Sequence, residues 1–208
     1  VYIAYFTPYP ESYLVKRIGE WGNRECTEVI SIGKSEMGRN MPLMIVTDRN
    51  TDNKNKKTVY IHGRTHTSET PGSWHLDRMI DIITGDSQYA KDLRKHIVFY
   101  ILPFTNPDGV QEGLSRSNIN GINLEVNWNY PDSLTAQEVK NMKGFLGKLI
   151  KERTVDVVLN MHSQSLNHTT YWVHRANGTS DKYYKNLMLF SNLTIDRNPY
   201  FKKDDLKF

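Results

Sequence analysis

Three short, unbroken runs of apolar and β-branched residues constrain this protein most: KTVYIH at 57–62, HIVFYIL at 96–102 and VDVVLNM at 155–161. Each has strand length, and none alternates polar with apolar, the pattern of a strand covered on both faces. Helical spacing fills the gaps between them. Glu11 to Trp21 lines up Tyr13, Leu14, Ile18 and Trp21, and Leu134 to Glu152 lines up Val139, Met142, Phe145, Leu146, Leu149 and Ile150, with Ser133 as a cap. Pro71 opens a helix that runs to about Ile83, with Thr70 as its N-cap. Glu28–Lys34 and Met41–Thr47 flank a Gly38-Arg39-Asn40 turn and predict a hairpin. Thr170–Val173 predicts a further strand and Asp181–Leu193 a further helix. Buried strands alternating with helices predict an α/β fold, with a mixed, mostly parallel sheet sandwiched between helices. In such sheets the reactive residues lie on loops at the carboxyl ends of strands.

A length of 208 residues is enough for a single packed domain, and one domain over 1–208 is expected. Lys and Arg total 27 against 23 Asp and Glu, a net +4 spread along the sequence. That argues against a nucleic-acid or anionic-membrane partner. Cys26 is the only cysteine, which excludes an intramolecular disulfide and a cysteine-rich zinc module. Mean hydropathy is −0.60, and no apolar run approaches the ~20 residues of a membrane span. The opening VYIAYFTPYP has neither a basic n-region nor a small-residue cleavage site, and reads as the start of a mature or trimmed polypeptide. A small molecule or peptide is left as the partner class.

The strand-end loops carry the chemistry. KTVYIH runs into GRTHTSET, with His66 and Glu69, while VDVVLNM runs directly into His162. HIVFYIL leads to PFTNPDGVQEG and then Arg116. Imidazole nitrogen and carboxylate oxygen are both zinc ligands at ~2.0–2.2 Å, and three protein ligands leave a fourth position open for catalysis. His-x-x-Glu alone is a weak signal. Its place between a strand and a Pro-started helix strengthens it, as does a second histidine at another strand end. His62 lies on a β-run, where the i, i+4 zinc geometry of a helix is unavailable, and is expected to be structural. His75, His168 and His174 are expected on the surface or in packing.

The order His66-x-x-Glu69, Asn106-Pro107-Asp108-Gly109, Arg116, Gly121-Ile122-Asn123-Leu124, Asn127-Trp128 and His162-Ser163 resembles the zinc metallocarboxypeptidases of the funnelin type. The likeness runs from about residue 10 to about 175. It implies an eight-stranded mixed sheet between helices and one Zn²⁺ held by His66, Glu69 and His162. It implies Arg116 as the oxyanion partner, Glu125 and Asn127 lining the substrate pocket, and peptide-bond hydrolysis by metal-activated water. An extracellular or periplasmic location is expected for such a protein, with the cytoplasm left open.

Three departures from the family pattern bear on function. Where the family has Asn-Arg-Asn-Trp, with Asn and Arg gripping a terminal carboxylate, this sequence has Glu125-Val126-Asn127-Trp128. A bidentate carboxylate clamp needs a guanidinium. Asn123 also stands where the family has an Asp that orients the first metal histidine. Moreover, no glutamate follows His162, so the family's general base is expected beyond Phe208, and the domain is expected to be incomplete at its C-terminus. Alternatives stay open beside the peptidase: a zinc amidohydrolase or deacylase that needs no free C-terminus, or a metal-binding relative without catalysis.

Overall fold

The computed structural model describes residues 4, 6–163, 171–172, 178–200 and 206–207. The protein separates into two compact units, Val1–Ser163 and Gln164–Phe208.

The first unit is built on a mixed five-stranded sheet in the order β1-β2-β4-β3-β5. Helix α1 (Glu11–Gly22) follows Pro10, whose extended backbone forms the N-cap, and turns Leu14 and Trp21 inward. Strands β1 (Thr27–Lys34) and β2 (Asn40–Val46) form the expected antiparallel hairpin, with its register shifted between Ser31 and Lys34. Gly33 sits in that bulge at φ 143°, and an added Cβ there would lie 2.5 Å from the Asn141 side chain. Only glycine suits both the dihedral and the close approach. Next come β3 (Lys57–Gly63), α2 (Thr70–Thr84), α3 (Gln88–His96) and β4 (Ile97–Leu102). A single helical turn, α4 (Pro107–Gln111), precedes the long α5 (Gln137–Glu152) and β5 (Val157–Met161). β2 pairs antiparallel with β4, while β4 and β5 both lie parallel to β3.

Alternation along the strands sorts the core into two layers. Met44, Val46, Ile61, Phe99 and Ile101 pack with Leu14, Trp21, Leu76, Ile80 and Ile83 of α1 and α2. Met41, Leu43, Tyr60 and Leu102, one residue out of phase, pack with Met142 of α5. Each such side chain, fully buried, stabilises the fold by ~1.5–3 kcal/mol. The helix–sheet–helix sandwich is therefore the arrangement the apolar runs predict.

The family resemblance implies eight strands, and this sheet has five. The sequence up to residue 163 contains five runs of strand length, and each becomes one strand. The helix expected from Leu134 starts at Gln137 instead. Asp132–Leu134 forms a separate 3-10 turn that contains Ser133, the N-cap position of α5 falls on Ala136, and Asn127 Oδ1 accepts the Ala136 backbone N–H at 2.7 Å.

The second unit holds β6 (Tyr171–Trp172), α6 (Asp181–Arg197) and β7 (Leu206–Lys207), with β6 and β7 parallel. Ser180 Oγ caps α6 through the Tyr183 backbone N–H at 3.2 Å. Thr170 and Val173 of the expected strand lie outside the described residues, as do His168 and His174. Among the described residues, no helix is long and apolar enough to cross a membrane.

Candidate metal centre

β3 and β5 finish level with each other, Gly63 beside Met161. The loops that leave them start at one point on the sheet edge. His162 is the first residue past β5, so its place is set by the strand itself. His66 needs a turn. Arg64 makes it, at φ 59°, the left-handed conformation that a bulky residue adopts only when held there. Its guanidinium is buried and donates to Thr67 O at 2.6 Å, Tyr9 O at 3.1 Å and Ser73 Oγ at 3.0 Å. Burial lowers that guanidinium to about 10. Glu69 occupies the N-cap position of α2, and Thr70 is already helical, in contrast to the expected Thr70 cap. The Glu69 carboxylate does not cap the helix. It turns to the histidines.

The His66 Nδ1 lies 2.9 Å from Glu69 Oε1, and the His162 Nδ1 lies 2.8 Å from Glu69 Oε2. The Ser163 backbone N–H also donates to Oε2, at 3.0 Å. Each ring meets a second acceptor behind it. The His66 Nε2 lies 3.2 Å from Asn123 Oδ1, and the His162 Nε2 lies 3.1 Å from Glu125 Oε2. The Glu125 backbone N–H donates to Asn123 Oδ1 at 3.1 Å, which identifies that atom as the oxygen.

Two imidazoles thus face four acceptors, yet a neutral imidazole carries one N–H. With those protons on Nε2, both Nδ1 lone pairs converge on the Glu69 oxygens. Lone pair facing lone pair at this range requires a cation between them, either added ring protons or a metal ion. Burial opposes charge on His162, but hydrogen bonds to Glu125 and Glu69 outweigh it and raise the imidazole to about 9. The hydrogen bond with His162 likewise holds Glu125 at about 2, despite its burial. Burial pushes Glu69 upward, and its bonds to His162, Ser163 and His66 bring it below the usual carboxylate range.

The donor set fits zinc. One ligand atom from each of His66, Glu69 and His162 lies within 4.8 Å of the other two. The edges of a tetrahedron with ~2.0–2.2 Å bonds are about 3.3–3.6 Å, so small shifts of the rings would admit an ion. Of the residues predicted from sequence, the structure thus brings these three together.

Arg116 is 3.7 Å from Glu69 Oε1 through Nη1, with its side chain 61% exposed. Its loop is fastened to the His66 loop, for Ser68 N–H donates to Ser115 O at 3.0 Å and Thr67 Oγ1 donates to Leu114 O. The Asn-Pro-Asp-Gly segment anchors the same loop. Asn106 Nδ2 donates to Ser117 O at 3.0 Å, and Asn106 Oδ1 accepts from Gly109 N–H at 3.0 Å. The expected stiff turn is the start of α4. Asp108 accepts from Ser35 Oγ at 2.8 Å, Met37 N–H at 2.9 Å and Arg39 Nη1 at 3.0 Å, which ties α4 to the β1–β2 turn.

Asn127 is not brought to the cluster. It is buried, with Nδ2 donating to Leu134 O at 3.2 Å and Oδ1 held at the start of α5. The Glu125 carboxylate faces His162 and accepts from Asn160 Nδ2 at 3.0 Å on both oxygens. Val126 is 64% exposed. His62, as expected, stays out of the cluster. It is buried beside Asn160 on the neighbouring strand, and burial lowers it to about 4. Sequence reading missed Arg64 and Asn160. An amide inside the apolar run VVLNM was a signal for Asn160; nothing in the sequence marks Arg64.

The sequence profile of the zinc carboxypeptidases matches residues 22–203. Among relatives, cytosolic carboxypeptidase 6 of Mus musculus is 29% identical over 138 residues, 64% of this chain and 26% of that protein. Cytosolic carboxypeptidase 3 of the same species is 30% identical over 155 residues, 74% of this chain and 15% of that protein. A metallo-carboxypeptidase from Burkholderia cenocepacia superposes with a TM-score of 0.81 at 24% identity, over 96% of this chain and 53% of that one. A metallo-carboxypeptidase from Pseudomonas aeruginosa, in complex with (2-guanidinoethylmercapto)succinic acid, gives a TM-score of 0.80 at 21% identity, over 98% of this chain and 52% of that one. The chain spans about a quarter or less of these two relatives and about half of these two structures. With its profile match extending over most of its length, this chain belongs to the zinc carboxypeptidase family.

Proposed function

We propose that residues 1–208 belong to one catalytic domain of a zinc-dependent hydrolase of peptide bonds, with a single Zn²⁺ held by His66, Glu69 and His162. The observation that carries this reading is the convergence of two Nδ1 atoms on one carboxylate whose own oxygens cannot donate a proton. Zinc, when bound, polarises a substrate carbonyl and acidifies water. The protein's own groups do the rest. Glu69 and the two rings fix the reacting edge against β3, β5 and α2. Arg116 stands beside Glu69 on a fastened loop with an exposed guanidinium, which supports its role in meeting negative charge that develops on a carbonyl oxygen. Proton abstraction calls for a base that is free to act. Glu69 and Glu125 are both committed to imidazole nitrogens, so that base is a different group.

A second reading has its own support. Val126 is exposed where the family pattern has the arginine of the carboxylate clamp, and Glu125 is held elsewhere. An amidohydrolase acting on a peptide end without a free carboxylate suits that position. The test is hydrolysis by the full-length protein of matched free-acid and amidated peptides, with and without a chelator. The peptidase reading predicts cleavage that the chelator abolishes and zinc restores. Preference for the free acid would defeat the second reading, and chelator-resistant cleavage would defeat both.

The extracytoplasmic expectation finds no support. The two relatives above are named cytosolic, and we place the proposed activity in the cytoplasm.

A further inference from the structure

We infer that Glu125 is a positioning residue that locks His162 as a metal ligand and does not contact substrate. The inference rests on the zinc reading above and concerns how the site is held.

Three consecutive residues point three ways. Leu124 is buried in a small core with Val139 and Ala136, Glu125 faces His162, and Val126 faces solvent. Two anchors set this phase: the Leu124 side chain, and the bond from Glu125 N–H to Asn123 Oδ1. The carboxylate is then caught between two groups from the end of β5. His162 Nε2 lies 3.1 Å from Oε2, and Asn160 Nδ2 lies 3.0 Å from both oxygens. Asn160 in β5 and His162, the first residue past it, both reach the same carboxylate. Glu125 therefore sits on the side of the His162 ring opposite Glu69.

A carboxylate in that place has a defined effect on a metal-binding imidazole. It accepts a hydrogen bond from Nε2–H, which keeps the proton on that nitrogen and leaves the Nδ1 lone pair for the ion, and it fixes the ring plane and strengthens the nitrogen as a donor. His66 has a neutral amide, Asn123, in the corresponding place. The family pattern puts the acidic partner behind the first histidine. Here the first histidine has an amide and the second has the carboxylate. One charged partner is kept, but it has changed rings. A carboxylate engaged with His162 and Asn160 accounts for a glutamate at a position where a carboxylate-binding pocket would reject it.

Zinc affinity of the apoprotein, measured by competition with a chromophoric chelator, tests the inference for wild type, Glu125→Gln and Glu125→Ala. Glu125→Ala is expected to weaken zinc by about 10–100-fold, the usual loss for such a partner. Glu125→Gln keeps an acceptor without its charge and is expected to fall between the two. It also decides the matter if the alanine variant does not fold. In zinc-loaded wild type, long-range ¹H–¹⁵N spectra should show His162 protonated at Nε2 and metal-bound at Nδ1, and the Nε2 proton should exchange faster in Glu125→Gln. Zinc affinity unchanged in both variants would overturn the positioning role while leaving the metal site intact. Wild type that takes up no zinc would overturn the metal site itself.

Discussion

His62 lies beside Asn160, next to the His66–Glu69–His162 cluster, buried and neutral, with its Nδ1 finding no hydrogen-bond partner among the described residues. Burial lowers it from 6.5 to about 4. Between those values the unfolded protein binds a proton that the folded protein refuses, so this group's contribution is complete above pH 6.5 and is lost as pH falls toward 4. The difference corresponds to on the order of 3 kcal/mol. Urea unfolding of metal-free protein at pH 7 and 4.5 should show a smaller acid loss for His62→Gln than for wild type. Equal losses would contradict the assignment. Arg116→Ala should keep zinc yet reduce kcat by ~10²–10³; turnover near wild type would remove Arg116 from the chemistry. These residues differ in how far the sequence revealed them. His66, Glu69 and His162 were legible because strand ends fix where they emerge. The Glu125 role was not, because it depends on a ring that arrives 37 residues later.

At the scale of elements, the approach of α2 to β5 holds the two halves of the proposed ligand set together. Gly72 in the first turn of α2 makes this possible. A Cβ there would lie 3.1 Å from Met161 O and 3.3 Å from His162 O, both backbone atoms. Alanine in a helix ordinarily gains ~0.5–1 kcal/mol over glycine, but here it would push the His162 backbone. Gly72→Ala should therefore lower both thermal stability and zinc affinity. Gly144→Ala, in α5 with open space around it, should gain up to ~1 kcal/mol and leave zinc unchanged. Calorimetry with zinc titration separates the two; a stabilising Gly72→Ala would contradict this packing. Strands β1 to β5 and α1 were legible within a residue or two, but the burial expected of the VDVVLNM run was not met: β5 is an edge strand, with Val158 exposed, while β3 and β4 lie inside the sheet and are mostly buried. Helix starts were less legible. α5 begins at a backbone N–H held by Asn127 rather than at Ser133, and α2 begins one residue after a glutamate spent on histidines. Sequence shows which side chains can cap, but tertiary contacts decide which ones do.

For the whole molecule, the sequence foretold a helix–sheet–helix sandwich with its chemistry at one sheet edge, and the first unit has that form. Its sheet has five of the eight strands the resemblance implies, over a chain that spans about half of the structures it matches. Zinc that binds only the folded state should raise stability by about 2.7 kcal/mol at a hundredfold excess over Kd, roughly 5–10 °C in Tm for a protein of this size. A chelator should lower Tm by that amount and zinc should restore it; a Tm indifferent to both contradicts the linkage. The most direct measurement is an anomalous difference map collected at the zinc edge from crystals of zinc-loaded protein. The account predicts a single peak bounded by Nδ1 of His66, Nδ1 of His162 and the Glu69 carboxylate. A peak elsewhere, or none at that position, would contradict it.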